Sequence, residues 1–438
     1  ECCWFMELLF RFCLKMDGKS KTLSVLYFYF PTGLLMILCS TFCRQKMIIK
    51  RIKIYNFKSL VNFEMPLAKF NCLVGLNGSG KSTVLQFFDF LSQQLRGDIK
   101  GWLSKRKWSA SDIKSKLASK KKNIDFEVLL THSQGFEIKW TASFNTITLR
   151  CTFERVDWNN NLILRVENGK YYIWSLDEKE RENTPKLSGV IPFDYQGSLI
   201  SQVKENQLTE EIIEFKKFFE GLHTLDLLSP ELLRQRTKES KKDLGLGGEY
   251  LSAFLYDLAR EERVVILDKL SKIYPNLKQF DITTIHSGWK QLMVEEQFGN
   301  IALKTEARHI ADGILRMLAV FAQLSKETKD QSFLLLDEIE NGINPELIEF
   351  LVDSLVEASP QVLVTTHSPM VLNYLEDSTA IDGVIYLYKE QNGATQAIRL
   401  FDIPSMRKKL TVMGPGEVYE DTLLTQLGEE IMTLKKQK

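Results

Sequence analysis

Gly75-Leu76-Asn77-Gly78-Ser79-Gly80-Lys81-Ser82-Thr83 is the stretch on which the reading of this chain turns. It follows Phe70-Asn71-Cys72-Leu73-Val74, an apolar run that reads as a buried strand. It opens a segment from Ser82 to about Leu95 whose apolar residues recur at helical spacing. A glycine-rich turn between a buried strand and a helix start lets backbone N–H groups wrap phosphate oxygens, and the helix dipole adds to the field. Every fixed position of such a loop is filled here. Lys81 is expected on the β and γ phosphates and the Ser82 hydroxyl on Mg²⁺, with Gly75, Asn77, Gly78, Ser79, Gly80 and Thr83 completing the cradle. The cofactors implied are ATP and Mg²⁺.

A triphosphate site also needs a carboxylate for the metal and a base for the attacking water. Phe333-Leu334-Leu335-Leu336 reads as a second buried strand, and it ends in Asp337-Glu338. Asp337 is the expected metal partner of Ser82, and Glu338 the residue that orients and deprotonates water. Val362-Leu363-Val364-Thr365 is a third such strand, followed by Thr366-His367-Ser368-Pro369. His367 is therefore expected to hydrogen-bond the γ-phosphate beside Glu338, so that Lys81, Glu338 and His367 form the catalytic set.

The set made by Gly75 to Thr83, Asp337-Glu338 with Glu340-Asn341-Gly342 behind it, and Thr366 to Pro369 resembles the ABC-like ATPases of the RecF/SMC/OLD group. More narrowly, it is similar to the compact bacterial AAA-type ATPases of phage-defence operons. Met47-Ile48-Ile49-Lys50-Arg51-Ile52-Lys53-Ile54-Tyr55-Asn56-Phe57-Lys58-Ser59-Leu60 resembles the first strands of that group, and Leu228-Ser229-Pro230 and Gly247-Gly248-Glu249-Tyr250-Leu251 resemble internal landmarks of the compact subgroup. The resemblance implies an α/β fold: an ABC-type head with a P-loop α/β core, an antiparallel β subdomain and a helical insertion. It implies dimerising heads that sandwich ATP, each capped by a signature segment from the opposite copy. His309-Ile310-Ala311-Asp312-Gly313-Ile314-Leu315-Arg316 occupies the signature's place, so Asp312 and Gly313 are expected on the partner's nucleotide. Ala311 stands where the family usually has serine and removes one hydrogen bond to that phosphate. Gln196, in Phe193-Asp194-Tyr195-Gln196-Gly197-Ser198, is the candidate for the glutamine that contacts Mg²⁺ and couples the insertion to the site.

Around these motifs the chain divides into an apolar leader (1–46), the N-terminal half of the head with its hairpins (47–200), a helical insertion (201–275), the C-terminal half of the head (276–400) and a tail (401–438). Short alternating runs between Asn123 and Trp174 predict antiparallel hairpins, and residues from about Gln207 to Ile273 read as mainly helical. The leader has no charged residue from Thr22 to Cys43, long enough for a bilayer, but Pro31 and Gly33 interrupt it and basic residues flank both ends. Composition changes at Met47. The expectation is that Met47 is the natural start, with a membrane anchor as the alternative.

With 57 Lys+Arg against 56 Asp+Glu in 438 residues, no global field draws nucleic acid, and any such contact is a local patch. Lys105-Arg106-Lys107-Trp108, Lys120 to Lys122 and Lys238 to Lys242 offer one, with Trp102 or Trp108 to stack on bases. Five of seven cysteines lie in the first 43 residues, which argues against a disulfide framework in the main body and for a reducing cytoplasm. The resemblance implies a second copy of the chain and an operon-encoded nuclease or toxin as partners, in antiviral defence. Alternatives are a DNA repair or chromosome-maintenance ATPase, an ATP-gated scaffold and a transporter-associated ATPase.

Overall fold

A computed structural model of the chain describes residues 27–30, 33–36, 47–118, 121–176, 185–225, 228–238, 243–325, 331–423, 427–428, 430–431 and 433. Two compact units separate, 1–44 and 45–438. In the first, β1 (Tyr27–Phe30) and β2 (Gly33–Met36) pair antiparallel inside the apolar leader, whose remainder lies outside the described residues. Among the described residues no helix is long and apolar enough to cross a membrane.

The second unit is built on two large sheets. Alternating residues with one wet face form the antiparallel sheet: β3 (Met47–Tyr55), β4 (Phe63–Pro66), β6 (Asn123–His132), β7 (Glu137–Asn145), β8 (Arg150–Trp158), β9 (Asn161–Glu167), β10 (Lys170–Ile173) and β11 (Leu187–Val190). In space they run β11-β10-β9-β8-β7-β6-β3-β4. Every second residue of β6 is buried, as a half-covered strand requires.

The other sheet holds β5 (Phe70–Val74), β12 (Leu222–Leu225), β16 (Phe333–Leu336), β17 (Gln361–Thr365), β18 (Val384–Lys389) and β19 (Thr395–Arg399), in the order β12-β16-β17-β5-β18-β19. Neighbours from β12 to β18 are parallel, and only β19 runs back against β18. Its central strands are buried along their whole length because both faces are covered, which explains their unbroken apolar sequences. Cys72, Val74, Leu334 and Val364 face one core, and Leu73, Leu335, Leu363 and Ile385 the other. Helix α1 (Lys81–Arg96) and helix α2 (Glu210–Glu220) lie on the second side, where Phe88 meets Phe333, and Phe215 and Phe219 meet Trp140. Helix α3 (Asp312–Ser325) and helix α4 (Pro345–Val356) cover the first, with Phe321 edge-on to Phe350.

The buried Gln361 side chain stitches the two sheets. Its Nε2 donates to the carbonyls of Ile49 and Ala68 at 2.8 and 2.7 Å, and its Oε1 accepts from the Ile49 N–H at 2.9 Å. The β3–β6 register slips beside Ile49, where Lys50 is passed over in the pairing.

The structure adds three features to the sequence reading. Residues 201–275 are helical over α2, 230–233, 251–257 and 260–273, yet they also supply β12, the edge strand beside β16. Leu222-His223-Thr224-Leu225 is too short to show a period and sits between helical runs, so pairing with Phe333 to Leu336 decides its conformation. Next, β13 (Leu277–Thr284), β14 (Lys290–Phe298) and β15 (Ile301–Glu306) form a separate antiparallel sheet ahead of α3 that the sequence reading did not resolve. Finally, the tail packs on the head: the Gly416 N–H donates to Asn373 Oδ1 at 2.9 Å, and Met406 and Val418 are buried.

Candidate functional site

The parallel strands all end on one edge of their sheet, and β5, β16 and β17 deliver the chemical residues there. At the end of β5 the chain turns at Gly75, φ +144°, where an added Cβ would lie 2.3 Å from the Leu387 carbonyl oxygen. Only glycine fits that approach. Gly80, φ +114°, starts α1 and sits where a Cβ would meet the Thr395 hydroxyl at 2.5 Å. The Thr395 hydroxyl donates to the Ser79 carbonyl at 2.9 Å and has Ser59 Oγ at 2.8 Å and Lys389 Nζ at 3.0 Å. Thr395 thus fixes the loop from β19, a contact that no local sequence signal announces.

Lys81 donates to the carbonyls of Gly75 at 2.8 Å and Leu76 at 3.4 Å. Burial lowers its pKa, while the charges of Asp337, Glu338 and Glu340 oppose that shift. Ser82 Oγ donates to Asp337 Oδ2 at 3.1 Å, so residues 255 apart in sequence meet at one point. The other Asp337 oxygen accepts from Thr365 Oγ1 at 2.5 Å, and the same hydroxyl accepts from the Glu338 N–H at 2.8 Å. That N–H belongs to a residue at φ +49°, sparsely populated for a side chain of this size, so Thr365 pins Glu338 in a conformation it would otherwise leave. His367 Nε2 lies 3.9 Å from Glu338 Oε1, and the His367 N–H donates to Glu340 Oε1 at 2.7 Å. Asn341 Nδ2 is 3.5 Å from Glu338 Oε2.

These residues fit a magnesium-bound nucleoside triphosphate. Among the described residues Ser79 Oγ is buried without a partner, the state expected of a hydroxyl that faces phosphate in a loop of this kind. Ser82 and Asp337 offer two hard oxygen donors, which would suit an ion that keeps phosphate and water as its remaining ligands. Asn77, Gly78 and Thr83 lie in the same loop and first helical turn.

Gln196 is not brought to this edge. Its Oε1 accepts from the Lys100 N–H at 2.8 Å, and the adjoining Ser198 N–H donates to the carbonyl of Gln94 at 2.9 Å. Gln94 is thirteen residues beyond Lys81 on α1, about 20 Å away at 1.5 Å per residue. The turn fails as a metal contact because Gly197 and Ser198 anchor it to the C-terminal end of α1 and not to the P-loop. Beside Asp337 lie the end of β12 and Leu228: the Leu225 carbonyl accepts from the Asp337 N–H at 3.2 Å, and Leu228 lines a small cavity with Asp337, Glu338 and Arg316.

Asp312 and Gly313 begin α3, where Ala311 and Asp312 are exposed. Asp312 pairs with Arg234, and Gly313 packs against the Gly342 carbonyl and the Tyr274 hydroxyl. The start of α3 therefore abuts the loop behind Glu338, with Ala311 and Asp312 exposed. Arg316, one helical turn on, is buried, and its Nε has no partner among the described residues.

The stacking expectation for Trp102 fails. Trp102 is buried and its Nε1 donates to Asp89 Oδ2 at 2.6 Å, an acceptor it shares with Arg106. Trp108 has the Lys58 ammonium 3.4 Å from its ring centre. Trp102 and Arg106 are thus committed to Asp89, whose burial demands its counter-charge. Lys120 and residues 239–242 lie outside the described residues.

A family model described as "AAA domain, putative AbiEii toxin, Type IV TA system" matches residues 70–373. Among solved structures, an SMC head bound to the C-winged helix domain of ScpA is similar, at 15% identity and a TM-score of 0.51, over 83% of this chain and 99% of that one. An SMC head with an extended coiled coil, bound to the C-terminal domain of ScpA derived from Pyrococcus furiosus, gives 14% and 0.48 over 83% and 100%. The SMC head domain from Thermotoga maritima gives 12% and 0.43 over 80% and 98%. No curated protein sequence matches. At these identities the SMC likeness speaks to fold: an α/β head of the SMC type.

Proposed function

The chain belongs to the AAA-domain family described as putative AbiEii toxin, Type IV TA system, and from that premise we propose that it binds and hydrolyses ATP as a switch that closes between two copies of itself. The observation that carries the reading is the meeting of Ser82 with Asp337, with Lys81, Glu338 and His367 around them. In the proposed reaction Lys81 and the loop N–H groups hold the triphosphate. Magnesium, held by Ser82 and Asp337, would neutralise charge on the β and γ phosphates. Glu338 takes the proton from the attacking water, and His367, fixed through its backbone by Glu340, supports the γ-phosphate side. Asp312 and Gly313 cap the nucleotide held by the other copy, so that binding favours closure and hydrolysis favours opening.

The output would pass to an effector, a nuclease or toxin encoded nearby, in antiviral defence; the toxin–antitoxin wording of the family description supports this direction. DNA as a direct partner draws no support from Trp102 or Arg106, which are committed to Asp89. The test is the size of Glu338→Gln with and without ATP. A dimer that appears only with ATP, and that Lys81→Ala removes, is the expected outcome; a species unchanged by ATP contradicts the switch.

A further inference from the structure

We infer that Arg234 supplies, to the nucleotide held by the opposite copy, the phosphate hydrogen bond that Ala311 cannot make. The inference rests on the reading of the chain as an ATP-closed dimer and concerns the signature half of that site. Ala311 offers a methyl group. Beside it Asp312 offers an exposed carboxylate, which by itself repels a triphosphate. The Arg234 guanidinium removes both deficits. Its Nη2 donates to the Ile310 carbonyl at 2.8 Å and pairs with Asp312 Oδ1, cancelling that charge. A guanidinium has five N–H donors: Nη2 serves Ile310 and Asp312, Nε is buried, and Nη1 has no partner among the described residues, so its two donors remain for a phosphate oxygen. The side chain is 24% exposed, held yet reachable.

The backbone around Arg234 is braced for this task. The preceding Leu233 is fully buried, and its N–H donates to the Ser229 carbonyl at 2.9 Å. The Ser229 N–H donates to the Gly247 carbonyl at 3.1 Å, which joins the Leu228-Ser229-Pro230 and Gly247-Gly248-Glu249 landmarks into one bracket. On the far side Arg236 bonds Glu306 at 2.7 Å, and Arg308 bonds the same Glu306 oxygen at 2.8 Å. Three arginines thus stand against two carboxylates at the signature, with Arg308 and His309 exposed, a surface that favours an arriving anion. The same segment starts beside Asp337, where Leu228 lines the cavity behind Glu338. One stretch of chain therefore touches the metal end of its own site and presents Arg234 to the other.

The test is complementation by mixing. Lys81→Ala and Arg234→Gln are each expected to lower hydrolysis by about 10²-fold. In a mixed dimer, one site pairs an intact P-loop with an intact Arg234 from the other copy, so hydrolysis should return to about a quarter of the wild-type rate in an equal mixture. Absence of recovery means Arg234 acts on its own copy's site and overturns the inference, as does an Arg234→Gln protein of wild-type rate. A second variant separates phosphate contact from mere support of the loop: adding Ala311→Ser to Arg234→Gln restores a donor without restoring the pair with Asp312, and should recover about tenfold; no recovery counts against the inference. If Arg234→Gln loses its near-ultraviolet dichroism, the mixing is done with Arg234→Lys, which retains the pair and loses the fork. An ATP-induced Glu338→Gln dimer that survives added Arg234→Gln overturns this inference alone, whereas a Glu338→Gln protein that never dimerises overturns the underlying reading.

Discussion

At the scale of single residues, two buried groups decide behaviour that the motifs do not announce. Thr365 holds Asp337 and the strained Glu338 backbone with one hydroxyl. Thr365→Val keeps the shape and removes both bonds, so the Mg²⁺ concentration for half-maximal hydrolysis should rise about tenfold, from the ~1–2 kcal/mol such bonds contribute; a titration with no shift contradicts the role. Glu154 is the second. It lies fully buried on β8, accepts from the Leu199 N–H at 3.0 Å, and burial pushes its carboxyl up to about 7 against the opposing hydrogen bonds of Ser198 and Leu199. Its folded pKa exceeds the unfolded value of 4.5, so the native state binds the proton more tightly. The contribution of this group to stability is therefore fully present below about 4.5 and is lost as pH rises through about 7, a change of about 3 kcal/mol. Glu154→Gln should flatten that decline and raise the melting temperature at pH 8. Thermal unfolding across pH checks it, and an unchanged slope rejects it.

At the scale of elements, the strands that carry chemistry were legible because they are buried on both faces. Phe70 to Val74 and Phe333 to Leu336 each show an unbroken apolar run, bounded by glycine in one case and by Asp337 in the other, and the structure has them with those limits. The hairpins of β6 to β10 were legible from alternation. Leu222 to Leu225 was not, since four residues carry no period and their partner lies more than a hundred positions away. Gln196 misled for a related reason: a glutamine in a Gly-containing turn looks alike at either end of α1, and only the bond between Ser198 and Gln94 decides which. The joint between the sheets was equally silent. Gln361 reads as an unremarkable strand residue, yet its amide serves three backbone groups from β3 and the turn before β5. Gln361→Leu should destabilise the protein by ~2–4 kcal/mol, because it strands those groups without partners. Urea unfolding measures this, and a loss below 1 kcal/mol would mean that the stitch is dispensable.

At the scale of the whole molecule, residues 45–438 form a compact unit of their own. Deleting residues 1–44 should leave ATP affinity within about twofold of the full chain, since no motif residue lies in them, a difference of less than ~0.5 kcal/mol. Equilibrium binding of the two proteins decides it. The sequence alone determined the chemistry of the phosphate loop, because Gly75, Gly80, Lys81 and Ser82 answer to local backbone geometry and to charge. It also determined that buried strands end in Asp337 and near His367. Only the tertiary structure decided which strands are neighbours, with β12 against β16 and β17 between β16 and β5, and hence that Thr365, Thr395 and Leu225 brace the site. Periodicity records which face of an element is dry, but the element that dries it is chosen by packing over the whole chain.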